Sequence, residues 1–120
     1  MEDSIKIIIA GTRTFNNYYL LKSKLDFFFQ NLDKNKIEIV CGCCDGADTL
    51  GMKYAFEHNI PVKFFEPDWS KGKIAGPIRN EEMARYSNYL VLFWDGQSRG
   101  SKSMLFAARK YNLKIKIIYY

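Results

Sequence analysis

The sequence predicts an α/β fold: a single Rossmann-like domain over residues 1–120, built on a parallel sheet of about five strands with helices on both faces. Three observations carry that prediction. Short apolar runs rich in β-branched or aromatic residues recur along the chain, and the segments between them carry helical signals. The runs mostly lack the apolar-polar alternation of a half-exposed sheet, which is the pattern of strands covered on both faces.

The first run, Ile5–Ala10, reads as a strand. After it, NNYYLLKSKLDFFFQNL places Leu21, Leu25, Phe28, Phe29 and Leu32 at spacings of three and four, one apolar helix face, and the triplet Phe27 to Phe29 reads as core. Ile37–Cys41 is the second strand. The following helix is expected from Gly46 to His58 with Leu50, Tyr54 and Ala55 inward and Pro61 punctuating its end. Val62–Phe65 is the third strand, followed by a long connection, EPDWSKGKIAGPIRN, of the kind that often carries function. A third helix is read from its start, with Gly76 as cap, Pro77 in the first helical position and Glu81 and Glu82 near its positive end. Tyr89–Trp94 is the fourth strand. A last helix from about Ser101 to Tyr111 turns Met104, Leu105 and Ala108 to one side, ahead of a fifth strand at Lys114–Tyr119.

Composition narrows the function classes. A hydrophobic share of 48% supports one real core. The MEDS start is acidic and polar where a secretory signal is basic and then apolar, and no apolar run approaches the roughly 20 residues of a membrane span. A soluble, cytoplasmic chain with no membrane partner is expected. Cys41, Cys43 and Cys44 lie too close together to staple distant segments, which fits a reducing compartment. A structural zinc needs about four ligands, and the only other soft candidate, His58, lies at the far end of a helix, so no metal and no cofactor are expected. The net charge of +5 favours phosphate-bearing partners, but the basic residues are spread from Lys6 to Lys116 rather than gathered in a stripe.

In open parallel sheets the ligand lies beyond the carboxyl ends of the strands, so the loops there are the candidate site. In the first, Gly11 permits a turn and Thr12, Arg13 and Thr14 can grip an anion, unless Thr12 or Thr14 caps the next helix. In the second, Gly42 and Gly46 let the backbone approach a phosphate at the start of a helix, and Asp48 either caps that helix or binds a ribose hydroxyl. A redox dithiol at the C-x-x-C spacing of Cys41 and Cys44 is the rival reading. The long connection offers Trp69 for stacking, and Arg79 and Asn80 follow in the helix, where Arg79 has Glu82 as an alternative surface partner. The loop WDGQSRGSKS adds Trp94, Asp95, Gly96, Ser98, Gly100, Ser101 and Lys102.

Taken together, GTRTF, CGCCDGADTLG and DW…GPIRNEEMARYSNYLVLFWDGQSRGSKSM resemble the SLOG superfamily, the Rossmann-like group that includes the DprA and LOG proteins. They are most similar to its small stand-alone family, whose motifs read G-S-R-x-F, V-S-G-G-A-x-G-A-D, D-W…A-G-x-x-R-N-x-x-M and W-D-G-x-S-x-G-T. The resemblance implies a pocket for a nucleotide or nucleotide-derived ligand. By position it assigns Gly11, Thr12 and Arg13 to the first motif, and Gly42, Gly46, Ala47 and Asp48 to the second. Arg79 and Asn80 fall in the third, and Asp95, Gly96, Ser98, Gly100 and Ser101 in the last. Two residues depart from it: Cys43 stands where the family commonly has glycine, and Asp45 where it often has arginine.

LOG enzymes, as a class, cleave an N-glycosidic bond with the help of a glutamate in P-G-G-x-G-T-x-x-E. The matching position here is Met104, which has no carboxylate to offer. The expectation is therefore binding of a nucleotide or nucleotide-derived signal without catalysis, with phosphates on the glycine loops, the base against Trp69 or Trp94, and Arg13 and Arg79 clamping charge. Hydrolysis using Asp48 or Asp95 is the alternative, and single-stranded DNA binding ranks third. The many tyrosines and phenylalanines leave room for a homodimer or higher homo-oligomer through helix faces.

Overall fold

Each apolar run forms a strand in the computed structural model, which describes residues 4–120. Met1, Glu2 and Asp3, on which the reading of an acidic start rests, lie outside the described residues. The strands β1 (Ile5–Gly11), β2 (Ile37–Cys41), β3 (Val62–Phe64), β4 (Tyr89–Trp94) and β5 (Lys114–Tyr119) form one parallel sheet in the order β3-β2-β1-β4-β5. Four helices cover it: α1 (Tyr18–Phe29), α2 (Ala47–Glu57), α3 (Ala75–Tyr86) and α4 (Arg99–Lys110).

Burial on both faces explains the missing alternation. Ile7, Ile9, Ile39, Val91 and Phe93 point to one side, where they join Leu21, Leu25 and Phe29 of α1 and Tyr54 and Ala55 of α2. Ile8, Ala10, Val40, Leu90 and Leu92 point to the other, against Met83 and Ala84 of α3 and Met104 and Ala108 of α4. Each fully buried large side chain contributes about 1.5–3 kcal/mol of transfer free energy. The edge strand β5 differs: its lysines, Lys114 and Lys116, are exposed between partly buried isoleucines.

Several boundaries differ from the sequence reading for local reasons. Neither Thr12 nor Thr14 caps α1; the Asn17 carboxamide oxygen accepts from the Leu20 amide at 3.0 Å. Phe29 is buried and Phe28 half-buried, but Phe27 is 63% exposed, because one residue of any consecutive helical triplet turns off the apolar face. Leu50 is only half-buried. The chain must travel from β3 on one edge of the sheet, past β2 and β1, to β4, and the long connection serves that crossing. It is not an open loop: Trp69–Ile74 winds as 3-10 turns that run into α3, which starts at Ala75, so Pro77 lies inside the first turn and Gly76 is not the cap. α4 begins at Arg99, ahead of Ser101, because the Ser98 hydroxyl accepts from the Ser101 amide at 3.3 Å. No helix among the described residues is long and apolar enough to cross a membrane.

The first and second loops are pressed together by glycine. Gly46 has φ of 79°, and a Cβ there would lie 2.3 Å from the Thr12 carbonyl oxygen and 2.6 Å from that of Arg13. Gly46→Ala is therefore expected to lower stability by about 3 kcal/mol, read from urea unfolding midpoints at unchanged slope.

Candidate functional site

The strand order reverses between β1 and β4, and the two strands are joined just past their ends by one residue. The Thr12 amide donates to the Phe93 carbonyl at 2.9 Å, and the Thr12 hydroxyl accepts from the Asp95 amide at 3.1 Å. Above this junction lies a cleft of about 320 Å³. The first loop gives it Gly11, Thr12, Arg13 and Thr14, and the second Cys44 and Asp48. α3 contributes Arg79, Asn80 and Met83, and the start of α4 contributes Ser98, Gly100, Ser101 and Met104. Ala10, Met83 and Met104 make an apolar floor under polar walls.

The α3 wall is held by Arg79, which is 7% exposed. Its Nη1 donates to the Gly42 carbonyl, its Nη2 to the Cys44 sulfur at 3.7 Å, and its Nε to the Asn80 side chain at 2.9 Å. Asn80 in turn donates to the Ser103 hydroxyl at 3.1 Å. A surface pair with Glu82 is thus ruled out: the guanidinium turns inward and among the described residues makes no ion pair. It acts as a strut between α3 and the cysteine loop while one edge lines the cleft.

Asp48 neither caps α2 nor leaves the loop amides free. The cap position is Gly46, without a side-chain bond, and Asp48 lies in the first turn, 5% exposed. One carboxylate oxygen accepts from the Cys44 amide at 3.3 Å, so an internal carboxylate already serves the amide that a phosphate was expected to use. Burial pushes the Asp48 carboxyl up to about 7, against the opposing pull of the Cys44 amide and the Arg79 guanidinium. The loop also carries strain, since Cys43 adopts φ of 64°, the conformation that suits the glycine common at this position in the resembled motif.

The start of α4 is the opposite case. Ser98 caps the helix, Gly100 has nothing within 4 Å of where a Cβ would stand, and Ser101 is 3% exposed with its hydroxyl unpartnered. A helix amino terminus, a free buried hydroxyl and the exposed Arg13 together favour an anion.

The remaining candidates lie elsewhere. Gly42 and Gly46 shape the second loop from behind the cleft, and Ala47 is fully buried in the core. Trp69 is 63% exposed on the 3-10 segment and does not line the cleft. Trp94 is packed, its ring stacked on Tyr119 with centroids 5.9 Å apart and its indole nitrogen donating to the Ser98 carbonyl at 3.1 Å, so neither tryptophan faces a cleft-bound base. Asp95 turns back to accept from the Gln97 and Ser98 amides, both at 2.9 Å, which holds its carboxyl below the usual range. Gly96 shapes that turn, and Lys102 projects near the Phe106 ring, outside the cleft. His58 packs on Tyr54 and bonds its carbonyl at 2.8 Å; among the described residues no group of three or more His, Cys, Asp or Glu is placed to hold a metal. The sequence reading missed Cys44 and Met83 as cleft residues. Met83 falls one helical turn after Arg79, the spacing that signals it.

A doubly wound parallel sheet with its cleft at the reversal point and glycine-hydroxyl loops around it defines a Rossmann-like SLOG domain. The chain belongs to the YspA, cpYpsA-related SLOG family, whose sequence profile matches residues 5–72. No curated protein sequence matches it. Among solved structures it is similar to DNA processing protein A (DprA) from Streptococcus pneumoniae, with a TM-score of 0.75 at 18% identity over 98% of this chain and 51% of that one. It is likewise similar to DNA processing protein A from Helicobacter pylori, with a TM-score of 0.70 at 22% identity over 97% of this chain and 66% of that one. At these identities the likeness is one of fold, and this chain spans about half to two thirds of either protein.

Two measurements test this account. The folded-state rise at Asp48 favours its protonated form, so its contribution to stability is complete below the unfolded value of 3.8 and is lost as pH climbs to about 7. Relative to Asp48→Asn, the native protein should lose stability across that window in denaturant titrations, and parallel curves would contradict it. Cys43→Gly should raise stability by about 0.5 kcal/mol, the left-handed strain relieved less the entropy of glycine.

Proposed function

We propose that the cleft binds a nucleotide or nucleotide-derived small molecule without catalysis, through a phosphate at the start of α4. The observation that carries this reading is Ser101: a buried hydroxyl without a partner, in the first turn of a helix, at the wall of a cleft that Arg13 overhangs. The volume of about 320 Å³ is at the lower end of the roughly 300–1,000 Å³ of small-molecule sites, which suits a mononucleotide better than a dinucleotide. The base then rests on Met83 and Met104, not on either tryptophan. Binding is favoured over hydrolysis because Asp48 is the sole carboxylate lining the cleft and Met104 occupies the position of the LOG glutamate.

Isothermal titration with adenosine monophosphate is the direct test. Saturable binding is expected, with Ser101→Ala weakening it about tenfold while the unliganded melting temperature does not fall, because the hydroxyl removed is buried without a partner. Mass spectrometry of the ligand after incubation should return it intact; cleaved product at turnover would refute the non-catalytic reading.

Single-stranded DNA is the second reading, favoured by the Helicobacter pylori relative, whose structure is described as revealing a single-stranded DNA binding mode. It requires oligonucleotide affinity above that for the mononucleotide and falling steeply with salt. The nucleotide reading requires the reverse order.

A further inference from the structure

We propose that Cys44 is a hydroperoxide-reactive thiol whose oxidation closes the cleft to anions. The thiol assignment stands on the geometry of the cysteine loop, and the closure rests on the nucleotide reading above.

Three thiols within four positions have three different surroundings. Cys44 is half-buried and lines the cleft, and two guanidiniums donate to its sulfur, Arg79 through Nη2 at 3.7 Å and Arg13 through Nη2 at 3.9 Å, while the thiol itself faces the Gly42 carbonyl at 3.9 Å. The cleft's two arginine side chains thus converge on this one sulfur. Cys41 is buried, which pushes its thiol up to about 12, and its sulfur is aimed at the Asp48 carbonyl at 3.8 Å. Cys43 is exposed, but burial and the nearby Glu66 carboxylate raise its thiol, and its sulfur faces the Cys41 carbonyl at 4.0 Å. The chain thus places one sulfur against the cations of the cleft and two outside it. The same cleft is lined by Ser101, whose buried hydroxyl has no partner, so a polar group is left unsatisfied beside the sulfur's cleft.

The step balances without help from the protein. The Cys44 thiolate attacks one peroxide oxygen, an S–O bond forms, and the O–O bond breaks. The departing hydroxide or alkoxide takes up a proton and leaves as water or an alcohol; sulfur is oxidised to sulfenate as the peroxide is reduced. The anionic sulfenate oxygen then lies against Arg13 and Arg79, the charges that an incoming phosphate needs. Reduction by a cellular thiol reopens the cleft.

The test uses the full chain, treated with equimolar hydrogen peroxide and dimedone, with adducts located by peptide fragmentation. The expected adduct is on Cys44: Cys43→Gly keeps it, Cys44→Ser loses it, and the exposed Arg13→Ala slows its formation by about fivefold. Labelling at Cys41 or Cys43, no labelling, or an unchanged rate in Arg13→Ala would overturn the assignment. Adenosine monophosphate titrated into the oxidised protein should bind about tenfold more weakly than into the reduced protein; equal affinities overturn the closure. Reduced protein that reacts at Cys44 but binds no nucleotide overturns the nucleotide reading and the closure, and leaves the thiol assignment standing.

Discussion

Thr12 joins the two halves of the sheet where the winding reverses, and the rest of the site depends on that joint. Its amide bonds the end of β4 and its hydroxyl bonds the amide just beyond, so the loops after β1 and β4 keep a fixed separation. The strands can come this close because Gly11 has no side chain: a Cβ there would lie 2.1 Å from the Phe93 carbonyl oxygen. The bonds have few competitors, since Thr12 is buried. The β1–β4 ladder sets the sheet order, and the loop spacing above it follows from one pair of hydrogen bonds at a point where backbone must touch backbone.

Electrostatics divides the two halves of the cleft. On the β2 side a buried guanidinium and a buried carboxylate meet the same short loop, and each serves a backbone group of it: Arg79 the Gly42 carbonyl, Asp48 the Cys44 amide. Desolvating both charges costs several kcal/mol, which is recovered only through such bonds. A phosphate arriving there would have to displace the Asp48 carboxyl from the amide it already holds. On the β4 side the Ser98 hydroxyl takes the Ser101 amide, but no carboxylate stands at the helix start and the Ser101 hydroxyl is unclaimed. The proposed phosphate is placed on α4 for this reason, although the glycine pattern of the second loop looks the more phosphate-like in sequence.

How much of this was legible follows from what is local. The strands were readable almost to the residue because their identity rests on runs of Ile, Val and Leu with no competing helical spacing. That the GTR loop and the cysteine loop meet at one edge of the sheet was legible from strand-loop-helix order, and both line the cleft there. The Glu82 alternative for Arg79 stayed open in sequence because its partners, Gly42 and Cys44, lie more than thirty positions away and no periodicity links them. The role of Asp48 needed its burial, a property of the packed α2 and not of its neighbours in sequence. Trp94 reads as an aromatic at a strand end, where a base might stack; only the register of β4 with β5, which sets it beside Tyr119, reveals that its face is taken.

That packed tryptophan has a mechanical consequence. The indole of Trp94 holds the Ser98 carbonyl at 3.1 Å, and the Ser98 hydroxyl caps α4, so the anion-facing turn is riveted to the sheet. Arg13, by contrast, is exposed on the cleft and bonds the Cys44 sulfur only at 3.9 Å. On the nucleotide reading proposed above, the anchored turn loses little ordering entropy on capture, and the residence time of a guest is set by the departure of that one side chain rather than by the opening of a lid.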